Sequence, residues 1–271
     1  TGGGDAPGLN AVIRAVVVCG LERGWEVYGI NHGYQGLLNL KGFRKLTPAD
    51  VEGITNLGGS ILGAASKGDT FAYPHRGRGG RQGVRDVSHK VVENFHKMNL
   101  DGLVAIGGDG SLRIAYKFYE MGIPVIGVPK TIDNDLSKTV ITFGFDTAVS
   151  TATEAIEKLR STAKAHDRVM VVELMGRYAG WIALNSGISA AADVILIPEI
   201  PFDIKKVCEA ITKRDVRGYH WSIVVVAEGA LPAGGAMYTM GEKEAGREVR
   251  LGGIGKAVAD EISRHTGKET R

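Results

Sequence analysis

Short, unbroken apolar runs recur along this chain, and stretches of helical periodicity separate them. LVAI (103–106), IPVIGV (123–128), RVMVVEL (168–174), VILIP (194–198) and WSIVVVAEG (221–229) are of strand length, and WEVYGI (25–30) reads as a further strand. A strand that is apolar throughout has to be buried on both faces. Parallel sheets covered by helices on both sides provide that environment. Helices are expected over 9–22, 48–57, 86–98, 111–121, 146–165, 178–189, 204–214 and 254–265, and a polar loop over 66–85. The pattern predicts an α/β fold of two doubly wound, Rossmann-like parallel-sheet domains. The division falls near GFDTA (144–148), giving domains 1–144 and 145–271. The ends look cut. TGGGDAPG (1–8) reads as the loop after a strand, and TGKETR (266–271) stops where another strand is expected.

Composition narrows the class. The formal net charge is only +3, which does not point to nucleic acid. No apolar run approaches the ~20 residues that cross a bilayer, and no signal peptide is visible, so no membrane partner is expected. Cys19 and Cys208 form no CxxC pair, which fits reduced thiols and a cytoplasmic protein. The histidines have no zinc-site spacing. The 39 glycines are about twice the usual share of roughly 7%, and they cluster between periodic segments, where chain turns or approaches a ligand.

Ligands of parallel sheets bind beyond the carboxyl ends of the strands. The unusual loops, 1–8, 107–111, 129–135, 175–177 and 228–230, all lie there. In GGDGS (107–111), Gly107, Gly108 and Gly110 let backbone N–H groups face an anion at a helix N-terminus. Asp109 would repel phosphate unless a cation bridged the two, which implies Mg²⁺, although Asp109 as a helix N-cap is the plainer alternative. PKTIDND (129–135) sets Lys130, Thr131, Asp133 and Asp135 together. That set suits phosphoryl transfer: Asp133 as proton acceptor, Asp135 beside Mg²⁺, Thr131 and Lys130 on phosphate oxygens. An Asx-type turn is the alternative. Arg177 in MGRYAG (175–180) is placed for phosphate, Arg168 for phosphate or a surface ion pair, and Glu228 for sugar hydroxyls or a structural role. HRGRGGRQGVR (75–85) reads as a solvated loop or a binder of anionic effectors.

TGGGDAPGLNAVIRA, GGDGS, PKTIDND, GFDTA, MGRYAG and AEGA, in this order and over essentially the whole chain, resemble the 6-phosphofructokinases. The resemblance implies transfer of a phosphoryl group to the 1-hydroxyl of fructose 6-phosphate. It makes Asp133 the general base, with Thr131 on substrate or transferring phosphate and Arg177 on the transferred group. Gly3, Gly108, Asp109, Gly110, Ser111 and Lys130 would hold the donor, and Asp109 with Asp135 the Mg²⁺. Met175, Gly176 and Glu228 would hold the sugar, and Arg168 its 6-phosphate. Arg168 and Arg271 would reach a neighbouring subunit's site, which implies a homo-oligomer, a dimer or tetramer. Gly110 is the ATP-type residue and Lys130 the one more frequent in pyrophosphate users, so ATP is expected and pyrophosphate is the alternative. Ser66 and Lys67 replace the arginine-led pair of well-known bacterial members, 232–253 is a longer excursion than theirs, and the sequence stops at ETR (269–271), before the point where the family has its GHxQRGG segment. Two further readings are a kinase of NAD or a lipid with a similar GGDG loop, which PKTIDND and MGRYAG disfavour, and a non-catalytic nucleotide-binding fragment.

Overall fold

A computed structural model describes residues 1–65, 68–76, 82–241 and 249–271. Ser66, Lys67 and parts of the 75–85 and 232–253 segments therefore lie outside the described residues. The chain divides into two compact units, Thr1–Thr131 with Leu136–Gly144, and Ile132–Asp135 with Phe145–Arg271.

The first unit runs α1 (Leu9–Glu22), β1 (Tyr28–Ile30), α2 (Tyr34–Leu37), β2 (Phe43–Lys45), β3 (Tyr73–Arg76), β4 (Gln82–Arg85), α3 (Ser88–Lys97), β5 (Leu103–Gly107), α4 (Asp109–Glu120), β6 (Val125–Thr131) and β7 (Phe143–Gly144). Strands β5, β6 and β7 form a parallel sheet in that order. Alternation along β5 explains why its run is apolar throughout. Leu103 and Ala105 pack with Val91 and Phe95 of α3 and Phe118 of α4, while Ile106 packs with Leu9, Ile13 and Val17 of α1. The period of two sends successive side chains to opposite faces, but burial on both faces is incomplete here, with Val104 39% exposed and Ile126 of β6 68% exposed. Gly2 N donates to Ile106 O at 2.9 Å, so the N-terminal glycine loop runs in beside β5.

The structure differs from the sequence expectation at three places in this unit. WEVYGI contributes only the three-residue β1, which pairs antiparallel with β2 and not with the parallel sheet. The helix expected over 48–57 is a single 3₁₀ turn, Pro48–Val51. Thr47 and Asp50 cap that turn reciprocally, and Gly53 at φ 69° stops it. Within the expected loop 66–85, β3 and β4 pair as an antiparallel ribbon. Its arginines and glycines hide the alternation that marks a strand.

The second unit runs α5 (Phe145–Ala165), β8 (Val169–Leu174), α6 (Trp181–Ser189), β9 (Val194–Leu196), α7 (Ile204–Val216), β10 (Ser222–Ala227) and α8 (Ile254–Thr266). Its parallel sheet has the order β8-β10-β9. Every residue of β10 is buried. Val224 and Val226 face α7 and α8, while Ile223, Val225 and Ala227 face α5 and α6. Burying each of these larger side chains is worth about 1.5–3 kcal/mol. Residues 269–271 run parallel along the outer edge of β8, with Val171 N donating to Arg271 O at 2.7 Å. Helix α8 docks on the same strand through Glu173, whose Oε2 accepts from Gly255 N at 2.8 Å in the helix's first turn. Each unit is an α/β sandwich about a parallel sheet.

Candidate active site

In the first unit two glycine-rich loops close on one side chain. A methyl group on Gly2 would lie 2.5 Å from Ser111 Oγ, and one on Gly107 would lie 2.4 Å from Ser111 Cβ. Neither position admits a larger residue, because Ser111 fills the slot between them. Gly3, at φ 80°, lies against the same hydroxyl, 3.4 Å from its own would-be Cβ. Gly108 is the N-cap of α4 without any side-chain cap, so the first N–H groups of the helix have no side-chain acceptor there. Asp109 is the first helical residue, not the N-cap, and its carboxylate pairs with Arg113 one turn on at 2.6 Å. Gly110 is exposed, and a methyl group on it would meet nothing within 4 Å. Backbone N–H groups, the positive helix end and one exposed carboxylate suit a phosphate that carries its own divalent cation.

Strand β6 brings Lys130 to the same place. The residue is buried, at 3% exposure, and its Nζ donates to Gly4 O at 2.6 Å. It also lies 3.9 Å from the would-be Cβ of Gly3. Pairing with β7 extends β6 through Thr131, so Lys130 and Thr131 belong to the strand itself. Asp133 and Asp135 follow in the stretch Ile132–Asp135, Asp133 half-buried and Asp135 exposed, on either side of Asn134 at φ 53°. Among the described residues no three His, Cys, Asp or Glu side chains gather as a metal cage. Mg²⁺ does not need one, because it typically takes one or two carboxylates plus substrate phosphates and keeps several waters.

In the second unit the loop after β8 is held from β10. Glu228, just past β10, is buried, and its Oε1 accepts from Arg177 N at 2.9 Å and Gly176 N at 3.3 Å. Arg177 has φ 56° and Gly176 φ 147°. Arg177 donates through Nη1 to Val249 O at 3.0 Å. Met175 beside them is exposed.

Arg168 and Arg271 lie elsewhere. Both reach Glu269, Arg168 through Nε at 2.8 Å and Arg271 through Nη2 at 2.7 Å. The two guanidinium groups, Arg168 foremost, hold the Glu269 carboxyl below the usual carboxylate range. This cluster sits at the amino end of β8, whereas Met175, Gly176 and Arg177 follow its carboxyl end. The six-residue strand separates them by about 20 Å.

One contributor escaped the sequence reading. Tyr34, from α2, is buried against Phe118, and its hydroxyl donates to Ser111 O at 2.7 Å beneath the GGDGS loop. Burial pushes its phenol pKa well above the usual tyrosine value. GYQGLL (33–38) carries no chemical motif, and only the fold brings it 77 residues along the chain to Ser111.

The whole chain, residues 1–271, matches the family model for phosphofructokinase. The chain belongs to the phosphofructokinase family. Relatives within the family carry two kinds of name. An ATP-dependent 6-phosphofructokinase of Chloroflexus aggregans is 52% identical over 274 residues, covering all of this chain and 73% of the relative. A pyrophosphate–fructose 6-phosphate 1-phosphotransferase of Amycolatopsis methanolica is 50% identical over 273 residues, covering all of this chain and 76% of the relative. Among solved structures, phosphofructokinase from Saccharomyces cerevisiae superposes with a TM-score of 0.80 at 28% identity, over all of this chain and 36% of the yeast chain. The pyrophosphate-dependent phosphofructokinase of Marinobacter aquaeolei gives a TM-score of 0.76 at 25% identity, over 99% of this chain and 65% of that one. The chain thus spans about three-quarters of these sequence relatives and about a third of the yeast protein.

Proposed function

We propose that this protein is a 6-phosphofructokinase that transfers the γ-phosphoryl group of ATP to the 1-hydroxyl of fructose 6-phosphate. The observation that carries the reading is the convergence of the N-terminal glycine loop and the uncapped start of α4 on Ser111, beside the exposed Asp109. Residues 1–144 would bind the donor and 145–271 the sugar phosphate. Gly3, Gly108, Gly110 and Ser111 would line the donor phosphates through backbone and hydroxyl donors, with Lys130 supplying positive charge. Asp109 would hold Mg²⁺, with Asp135 in support, and the bound ion would neutralise charge on the transferred group. Asp133 would take the proton of the 1-hydroxyl as its oxygen bonds to the γ-phosphorus and the bond to the ADP oxygen breaks. Thr131 and Arg177 would steady the transferring oxygens. Met175, Gly176 and Glu228 would contact the sugar.

The length of β8, about 20 Å, which separates Arg168 from the turn at Arg177, supports giving the 6-phosphate contact of Arg168, and of Arg271, to a neighbouring copy in a homodimer or homotetramer. The cytoplasm is the proposed location. No helix among the described residues is long and apolar enough to cross a membrane.

Pyrophosphate is the competing donor, favoured by the buried ammonium of Lys130 and by the name of the Amycolatopsis relative. Turnover of fructose 6-phosphate with ATP against pyrophosphate, repeated for Gly110→Asp, separates the two. Because a side chain at 110 meets open space, the substitution tests donor clearance rather than packing. The expected outcome is ATP use by the wild type and loss of ATP use, ahead of pyrophosphate use, in the variant. Wild-type turnover with pyrophosphate alone would reverse the donor assignment.

A further inference from the structure

We infer that Glu228 is a positioning residue whose buried carboxylate holds the backbone of Arg177 in its left-handed conformation and so sets where the guanidinium points. The inference rests on the phosphotransferase reading above but assigns Glu228 a task apart from sugar contact.

Four observations converge on it. Arg177 is a non-glycine residue at φ 56°, a region that side-chain-bearing residues seldom occupy unless the surroundings impose it. One oxygen, Glu228 Oε1, accepts from both consecutive amides of the turn, Gly176 N and Arg177 N. Glu228 is itself anchored, since its own N–H donates to Leu174 O at 2.8 Å, the last residue of β8. The neighbouring Gly229 leaves no slack on the carbonyl side, because a methyl group there would lie 2.1 Å from Arg177 O. Glu228 thus holds the turn at its amides, and the backbone of Gly229 packs against its carbonyl. Both directly follow the fully buried strand β10. A carboxylate serving only sugar hydroxyls would not need to accept from two backbone amides.

Positioning and sugar contact separate experimentally in the full-length protein. In Glu228→Ala the Arg177 amide should exchange with solvent at least about tenfold faster, since its acceptor is gone. The kcat should fall about a hundredfold, the scale of a small misplacement of a reacting group. Glu228→Asp keeps the charge but withdraws the acceptor by one methylene, and should behave like the alanine variant. Glu228→Gln keeps a carbonyl oxygen at Oε1, and should restore both exchange protection and kcat to within a few-fold of wild type. Unchanged Arg177 exchange in the alanine or aspartate variant would overturn the inference. So would a glutamine variant as poor in kcat as alanine, or a defect confined to the KM for fructose 6-phosphate. The exchange measurement needs no substrate, so an inactive wild type would count against the proposed reaction and not against this role.

Discussion

Arg177 and Ser111 show how much a single residue can depend on distant ones. Ser111 is seated by Gly2, Gly107 and Tyr34, and Arg177 by Glu228, 51 residues further along the chain. Asp133 is the residue whose chemistry is most exposed to test. As the proposed proton acceptor, its replacement by Asn should lower kcat by about 10²–10⁴-fold, the usual yield of a general base. Fructose 6-phosphate binding by calorimetry should stay within a few-fold of wild type. A kcat within threefold of wild type would remove Asp133 from the mechanism. The motifs themselves were legible in the sequence, because acids, hydroxyls and glycines between apolar runs are poor core material. Tyr34 was not, because nothing local to an apolar stretch of chain shows that a phenol will meet a carbonyl 77 positions away.

At the scale of elements, the two parallel sheets were readable because their strands are apolar on both faces, as Ile223 and Val224 show by entering different cores. The ribbons were harder. β1 and β2 are three residues each, and β3 carries a proline and a histidine, so no period of two accumulates. The edge formed by residues 268–271 combines backbone pairing along β8 with ion pairs from its side chains. Lys268, ahead of His220, holds the Asp215 carboxyl below its usual value, as Arg168 does for Glu269. A carboxyl depressed in the folded state contributes its stabilisation above the unfolded pKa of about 4, and loses it as pH falls through the lower folded value. Residues 268–271 should therefore loosen below about pH 4. Hydrogen exchange of the Arg271 amide, which donates to Val169 O, should lose protection between pH 6 and pH 3 after correction for intrinsic rates. The β10 amides should keep theirs. Equal retention at both sites would show that backbone pairing alone secures the edge.

At the scale of the molecule, each unit is built about a parallel sheet, and one segment of sequence supplies both, with Thr131 ending β6 and Ile132–Asp135 counted with the second unit. If Arg168 and Arg271 serve a neighbouring copy, subunit dissociation should be felt on the sugar side first. Dilution followed by sedimentation and kinetics should raise the KM for fructose 6-phosphate as the oligomer falls apart, before the donor KM changes. A monomer with unaltered affinity for fructose 6-phosphate would return both arginines to the local role of pairing with Glu269.

Apolar periodicity and the order of GGDGS, PKTIDND and MGRYAG are local properties of the chain, so the class of fold and the family can be read without coordinates. Which side chains meet is a matter of the folded arrangement. It placed Lys130 on Gly4 O, Glu228 on the amides of Gly176 and Arg177, and Arg168 at the end of β8 opposite Arg177. Strand direction and strand order set those meetings, and both follow from the packing of whole layers rather than from any short stretch of chain.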